Sequence, residues 1–132
     1  MRKIALALAA GAALLAGTAA EAKPKLTGEE QLAKTLEGRV AGKPVNCISL
    51  FDSRDQRVID KTAIVYGLGR TIYVNRPSNA RDLNSDDVMV TDIHGSQLCN
   101  LDIVRTHERS GFFPTGFVGL EQFVPYSRVA SN

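Results

Sequence analysis

Beyond Val45 the apolar positions fall in short runs of Val, Ile, Tyr and Phe, separated by Gly, Pro, Asn and Asp. That spacing belongs to strands joined by tight turns. The stretch from Thr62 to Asn75 is the most regular. If Leu68-Gly69 form a two-residue turn, Tyr66 pairs with Thr71, Val65 with Ile72, Ile64 with Tyr73 and Ala63 with Val74. Ala63, Val65, Ile72 and Val74 then share one face, and a one-residue slip would send half of them to the other. Ile64, Tyr66 and Tyr73 take the opposite face, which therefore also needs a cover. A polar segment, Arg76 to Asp87, precedes a strand at Val88 to Asp92 and a turn at His94-Gly95. Next comes a longer strand from Gln97 to about His107, with Cys99, Leu101 and Ile103 pointing inward. A final strand spans Phe117 to Val124 and stops at Pro125, which has no N–H to give a ladder.

Ahead of the strands the pattern changes. Thr27-Gly28-Glu29-Glu30 sets a hydroxyl three residues before a carboxylate, the reciprocal cap of a helix start. The helix runs from Gly28 to Glu37, with Leu32 and Leu36 one turn apart and Gly38 placed to end it. Ala41 to Pro44 reads as a linker of turn residues. The fold class is mainly β, a small antiparallel barrel or compact sandwich with one short N-terminal helix on its flank.

The first 22 residues belong to a different logic. Arg2 and Lys3 precede an uncharged apolar run, Ile4 to Ala16, and then small residues, the layout of a cleaved export signal. The run falls short of the roughly 20 apolar residues that span a bilayer, so no stable membrane insertion is expected once the signal is removed. Cleavage fits after Ala20 or, preferably, after Ala22. The organisation is thus signal 1–22, helix and linker 23–44, one β domain 45–127 and a tail 128–132. The formal net charge of the chain is only +2, and without clustered Lys and Arg nucleic acid is excluded as an expected partner.

Export also changes the reading of Cys47 and Cys99, the two cysteines of the chain. An oxidising compartment lets them pair as a staple, with free buried thiols as the alternative; there is no C-x-x-C spacing to favour redox work. The other candidates for chemistry are sparse. Asp82-x-Asn84-x-Asp86 matches the opening of a calcium loop, but Asp87 stands where the turn glycine belongs and Ile93 where the bidentate carboxylate belongs. A solvated loop is the plainer reading. His94 and His107 lack a ligand spacing, and a hydrolytic site would need them beside Asp92, Asp102 or Glu108. No nucleophile motif or phosphate-cradling glycine loop is present, so no cofactor is expected. Phe112, Phe113, Phe117, Phe123, Tyr126 and Arg128 serve either to close a core or to edge a contact surface, since rings and Arg dominate contact energetics.

Several short blocks add a resemblance. Gly42-Lys43-Pro44-Val45-Asn46-Cys47-Ile48, Val58-Ile59-Asp60, Ala63-Ile64-Val65-Tyr66, Tyr73-Val74-Asn75-Arg76-Pro77, Ser96-Gln97-Leu98-Cys99, Asp102-Ile103-Val104, Gly116-Phe117-Val118 and Phe123-Val124-Pro125-Tyr126 occur in this order. In them the chain resembles small exported proteins of Gram-negative bacteria that form a domain family of unknown function. The resemblance spans roughly residues 36 to 126. It implies an envelope location and carries no activity. Some of those proteins hold a second Cys pair near the positions of Ala80 and Phe117, which this chain lacks, and others are lipoproteins, whose acceptor Cys is also absent here.

The expectation is a periplasmic or secreted, non-catalytic β domain that binds or stabilises an envelope protein or ligand. Arg76, Arg81, Phe112, Phe113, Tyr126 and Arg128 are its candidate contact residues. The alternative is a metal-assisted periplasmic hydrolase using His94 or His107. Protein recovered from the envelope fraction should begin at Lys23, which intact-mass measurement checks; a mass retaining residues 1–22 would refute the export reading.

Overall fold

The structure, a computed structural model, describes residues 22–130 together with 11–13 and 17. The expected signal therefore lies almost wholly outside the described residues. The chain folds into helix α1 (Gly28–Thr35), strands β1 (Arg39–Ala41) and β2 (Cys47–Ser49), a single-turn helix α2 (Leu50–Ser53), and strands β3 (Gln56–Ile59), β4 (Ala63–Tyr66) and β5 (Thr71–Asn75). A 3-10 turn at Ala80–Asp82 leads to β6 (Val88–Asp92), β7 (Gln97–Cys99), β8 (Ile103–His107), β9 (Pro114–Val118) and β10 (Phe123–Arg128). The strands form three antiparallel sheets: β1-β10-β5-β4-β3, β2-β7 and β6-β8-β9.

The five-stranded sheet is the middle layer of a compact sandwich. On one face Ala63, Val65, Ile72, Val74 and Ile59 bury against Leu32 of α1. On the other, Ile64, Tyr66 and Phe123 pack with Ile48, Leu98, Val104 and Val118 from the two smaller sheets. Both faces of the Thr62 to Asn75 hairpin are covered, as its alternation requires. Its register differs from the two-residue-turn expectation: Tyr66 pairs with Tyr73, Val65 with Val74 and Ile64 with Asn75. The shift is two residues, which preserves every face. Gly67, at a left-handed φ of +90°, donates to the carbonyl of Asp55 instead of entering a tight turn, and this lengthens the connection.

Helix α1 starts with the expected reciprocal cap, Thr27 Oγ1 accepting from Glu30 N at 3.2 Å and Glu30 Oε2 accepting from Thr27 N at 2.7 Å. It ends two residues early, at Thr35, before Gly38 at φ +72°. The linker is not free. Residues 39–41 pair with the end of β10, including Arg128, so the sheet extends into both the expected linker and the expected tail. Exposed Val40 gives this edge strand little hydrophobic signal.

The end of the chain also differs. The single strand expected over Phe117 to Val124 is two, and Pro125 lies inside β10, opposite Tyr73. An antiparallel residue directs its N–H and C=O to the same side. The Pro125 carbonyl accepts from Gly42 N at 2.7 Å, so the missing donor faces Gly42 to Pro44, where β1 has already ended. Likewise, the long strand over Gln97 to His107 is broken into β7 and β8 at Asn100 to Asp102. There the Asp102 carboxylate accepts from Cys99 N at 2.7 Å. Its inward residues are Leu98, Val104 and Thr106; Leu101 and Ile103 are exposed.

Cys47 and Cys99 sit directly opposite each other in β2-β7 and form a disulfide. Two strands of three residues are marginal without help. A closed loop of this length removes unfolded-state entropy worth about 4 kcal/mol in the chain-closure account.

Gly28 shows how closely α1 is docked: a Cβ at this position would collide with Thr62 Oγ1. Gly28→Ala should therefore lower stability by about 1–3 kcal/mol through overpacking, although Ala is the better helix former. Urea unfolding reads the sign, and a stabilised variant would contradict the docking.

Candidate contact surface

The expected contact residues fall in separate places. Arg76 and Tyr126 line one hollow of about 220 Å³ beside β10, with Gln122 and Val124. Arg76 gives two hydrogen bonds to Glu29 of α1, at 2.7 and 3.1 Å, and so clamps the helix to the sheet. Arg81 projects from the 3-10 turn, and Arg128 ends β10 opposite Arg39. Phe112 and Phe113 lie in the loop between β8 and β9. Of the six aromatic and Arg positions near the chain end, Phe123 is core, edge-on to Tyr66 at 5.6 Å.

The β8-β9 hairpin is built to present rings. Phe112, Phe113 and Phe117 are 55%, 68% and 67% exposed, far above what a closed core would leave. Phe112 has φ +58°, a left-handed conformation rare for a bulky side chain. It is held there by Phe112 N donating to the Glu108 carbonyl at 3.1 Å, while Glu108 N donates to the Phe113 carbonyl at 2.9 Å. The Glu108 carboxylate closes the loop by accepting from Gly111 N at 3.0 Å and Ser110 Oγ at 2.9 Å. The Phe112 ring stacks on His107 with centroids 4.4 Å apart and planes within 9° of parallel.

The strand register carries this patch along the outer face of the small sheet. Ile103, Arg105 and His107 alternate outward on β8, opposite Val104 and Thr106 in the interior. Arg105 is the cross-strand partner of Phe117 on β9 and of Val90 on β6. Its guanidinium pairs with Asp92 at 2.9 Å. The face therefore combines Ile103, Val90, Phe117 and Phe112 with one ion pair. Ile103 and Arg105 were not among the expected contact residues. The signal was available: two polar residues, Arg105 and His107, alternate with Val104, so Ile103 must share their side.

Most of the groups proposed for chemistry have other partners. Asp92 is paired with Arg105 and Asp102 caps Cys99 N, so neither is held by a histidine. His94 is exposed at the turn before Gly95, and His107 is under Phe112. Asn84 Oδ1 accepts from Asp86 N at 3.0 Å, and Asp87 accepts from Thr115 Oγ1 at 2.9 Å, uses that belong to turn and strand support. Among the described residues no group of three or more His, Cys, Asp and Glu is placed to hold a metal ion. The Arg76 to Asp87 segment is not a loose loop either. Leu83 is buried, and Asn79 donates to the Phe117 carbonyl at 2.7 Å while accepting from Gly119 N at 2.8 Å. The segments holding Ala80 and Phe117 are thus tied together by an amide.

The Arg76 guanidinium bonded to Glu29 holds that carboxyl below its ordinary range. A lowered folded-state value means the pair stabilises the fold above the unfolded carboxylate range and is lost as pH falls through the lowered value. Both side chains are more than half exposed, so solvent limits the effect to below about 1 kcal/mol. Glu29→Gln should cost that much at pH 7 and nothing near pH 2, as urea midpoints at the two pH values will show; an equal cost at both would exclude the ionic origin. No protein-family model, curated protein or solved structure matches the chain.

Proposed function

We propose that the protein is an exported, non-catalytic contact domain of the cell envelope, which engages a protein partner through the outer face of β6-β8-β9 and the Phe112-Phe113 loop. One observation carries this reading: the loop holds Phe112 in a left-handed conformation with its ring outward, locked by Glu108 and continuous with exposed Phe117 and Ile103. Left-handed backbone costs an ordinary residue about 1–2 kcal/mol, and the Phe112 ring, stacked on His107 but still more than half exposed, returns only part of it by burial. A partner that covers the rings returns the rest. The Cys47–Cys99 disulfide supports an oxidising compartment, and no helix among the described residues is long and apolar enough to cross a membrane. The resemblance to exported envelope proteins supports the same location. The hydrolase alternative receives no comparable support: Asp92 is paired with Arg105, Asp102 caps Cys99 N, and no group of three or more His, Cys, Asp and Glu among the described residues is placed to hold a metal ion.

A photoreactive residue placed at Phe113 or Phe117 in cells should yield a discrete crosslinked product. The same residue at Leu68, also highly exposed but on the β4-β5 connection, should not. Phe113→Ser should abolish the product while changing stability by less than about 0.5 kcal/mol, as for surface substitutions generally. Equal crosslinking from all three positions, or none, would defeat the proposal.

A further inference from the structure

The outer face of β6-β8-β9 has a property beyond being apolar: its formal charges cancel, and its two ends along the strands differ in kind. Its cross-strand rows are Asp92 with Ile103, then Val90 with Arg105 and Phe117, then Val88 with His107, on which Phe112 stacks. Arg105 and Asp92 are the formal charges among these side chains, and they sum to zero. A strongly acidic or basic partner would leave one of them opposed. The rows also differ in kind along the strands. Aromatic groups crowd the His107 end, while Leu101, 89% exposed, and Ile103, 55% exposed, form an aliphatic end with no cover.

We propose that the occupant of this face is a second copy of the same chain, packed sheet on sheet about a two-fold axis. This rests on the reading above that the face is a contact surface. The axis lies in the interface plane, across the strands, between the Asp92–Ile103 row and the Arg105 row. Rows on one strand face are roughly 7 Å apart, so this placement sets the His107–Phe112 end of one copy over the end of its partner where the Leu101 turn enters β8. It also brings the two Arg105–Asp92 pairs together as a ring of alternating charges. Each carboxylate then lies between two guanidinium groups, an arrangement that keeps the charges paired as water leaves. An isologous contact of this kind closes on itself and does not propagate into a fibre.

Sedimentation velocity of the signal-free protein, from about 1 µM to about 1 mM, tests it. A reversible monomer–dimer equilibrium is expected, with Ile103→Glu weakening it at least about tenfold. Arg105→Glu alone places two acids on the face and Asp92→Lys alone places two bases, so each should be monomeric. Mixed together they should form a heterodimer, a result that loss of the internal ion pair cannot produce. Circular dichroism and urea midpoints of each variant confirm folding. A wild-type protein that stays monomeric throughout, or charge variants that fail to combine, overturns the proposal. If the wild type is monomeric while Phe113 and Phe117 still crosslink to a different protein in cells, the self-association fails and the contact-surface reading survives. If dimers form but are insensitive to Ile103→Glu and to the charge pair, the face assigned here is wrong.

Discussion

Strand β4 is buried along its whole length on both faces, and the remaining elements are arranged to make that possible. A chain this short cannot build two independent cores, so it uses one sheet as the shared wall of both. Helix α1 covers one side through Leu32, and the β2-β7 and β6-β8-β9 sheets cover the other through Ile48, Leu98, Val104 and Val118. The cost is that the covering layers are small. Each has one face committed to the wall and one facing water, and their own ladders are short. The disulfide across β2-β7 is where a covalent link takes the place of missing strand length.

Polar side chains do similar work where strands leave gaps. Asn75, fully buried, gives its amide to the Glu121 carbonyl at 2.6 Å and accepts from Glu121 N at 3.1 Å, so one side chain stands in for a missing strand residue. Asn79 does the same for Phe117 and Gly119, Asp102 for Cys99, and Glu108 for the turn at Gly111. A buried backbone group left without a partner costs about 1–3 kcal/mol, so these few side chains matter more than their number suggests. These acidic and amide residues of the described chain are accordingly dispersed through the fold. They are distributed to wherever the backbone needs them.

Period-two alternation made the faces of the central hairpin legible, but alternation fixes parity only. The two-residue register difference came from Gly67, whose hydrogen bond to Asp55 depends on a distant segment. The helix start was legible because capping is local, within Thr27 to Glu30. Strand β1 was not, since it is held by backbone pairing to β10 and buries little. Pro125 reads as a stop in the sequence, but its lost donor matters only where an acceptor stands opposite, and that is decided by Gly42 to Pro44. The contact surface was partly legible. Its rings are identifiable in the sequence, but Phe112, Phe113 and Phe117 separate from buried Phe123 only once the strand break and hairpin loop are known, and alternation carried through Asn100 to Asp102 puts Leu101 and Ile103 on the wrong side.

The place of β10 between β1 and β5 bears on the order in which the molecule is assembled. A polypeptide is made from its N-terminus, so residues 123–128 appear after every other strand has been synthesised, yet they occupy an interior position in the five-stranded sheet. Until they arrive, β1 has no neighbour and one margin of β5 stands open to any extended segment nearby. The five-stranded sheet therefore stays open between β1 and β5 until residues 123–128 dock, and a chain cut before them would lack the strand that joins its two parts.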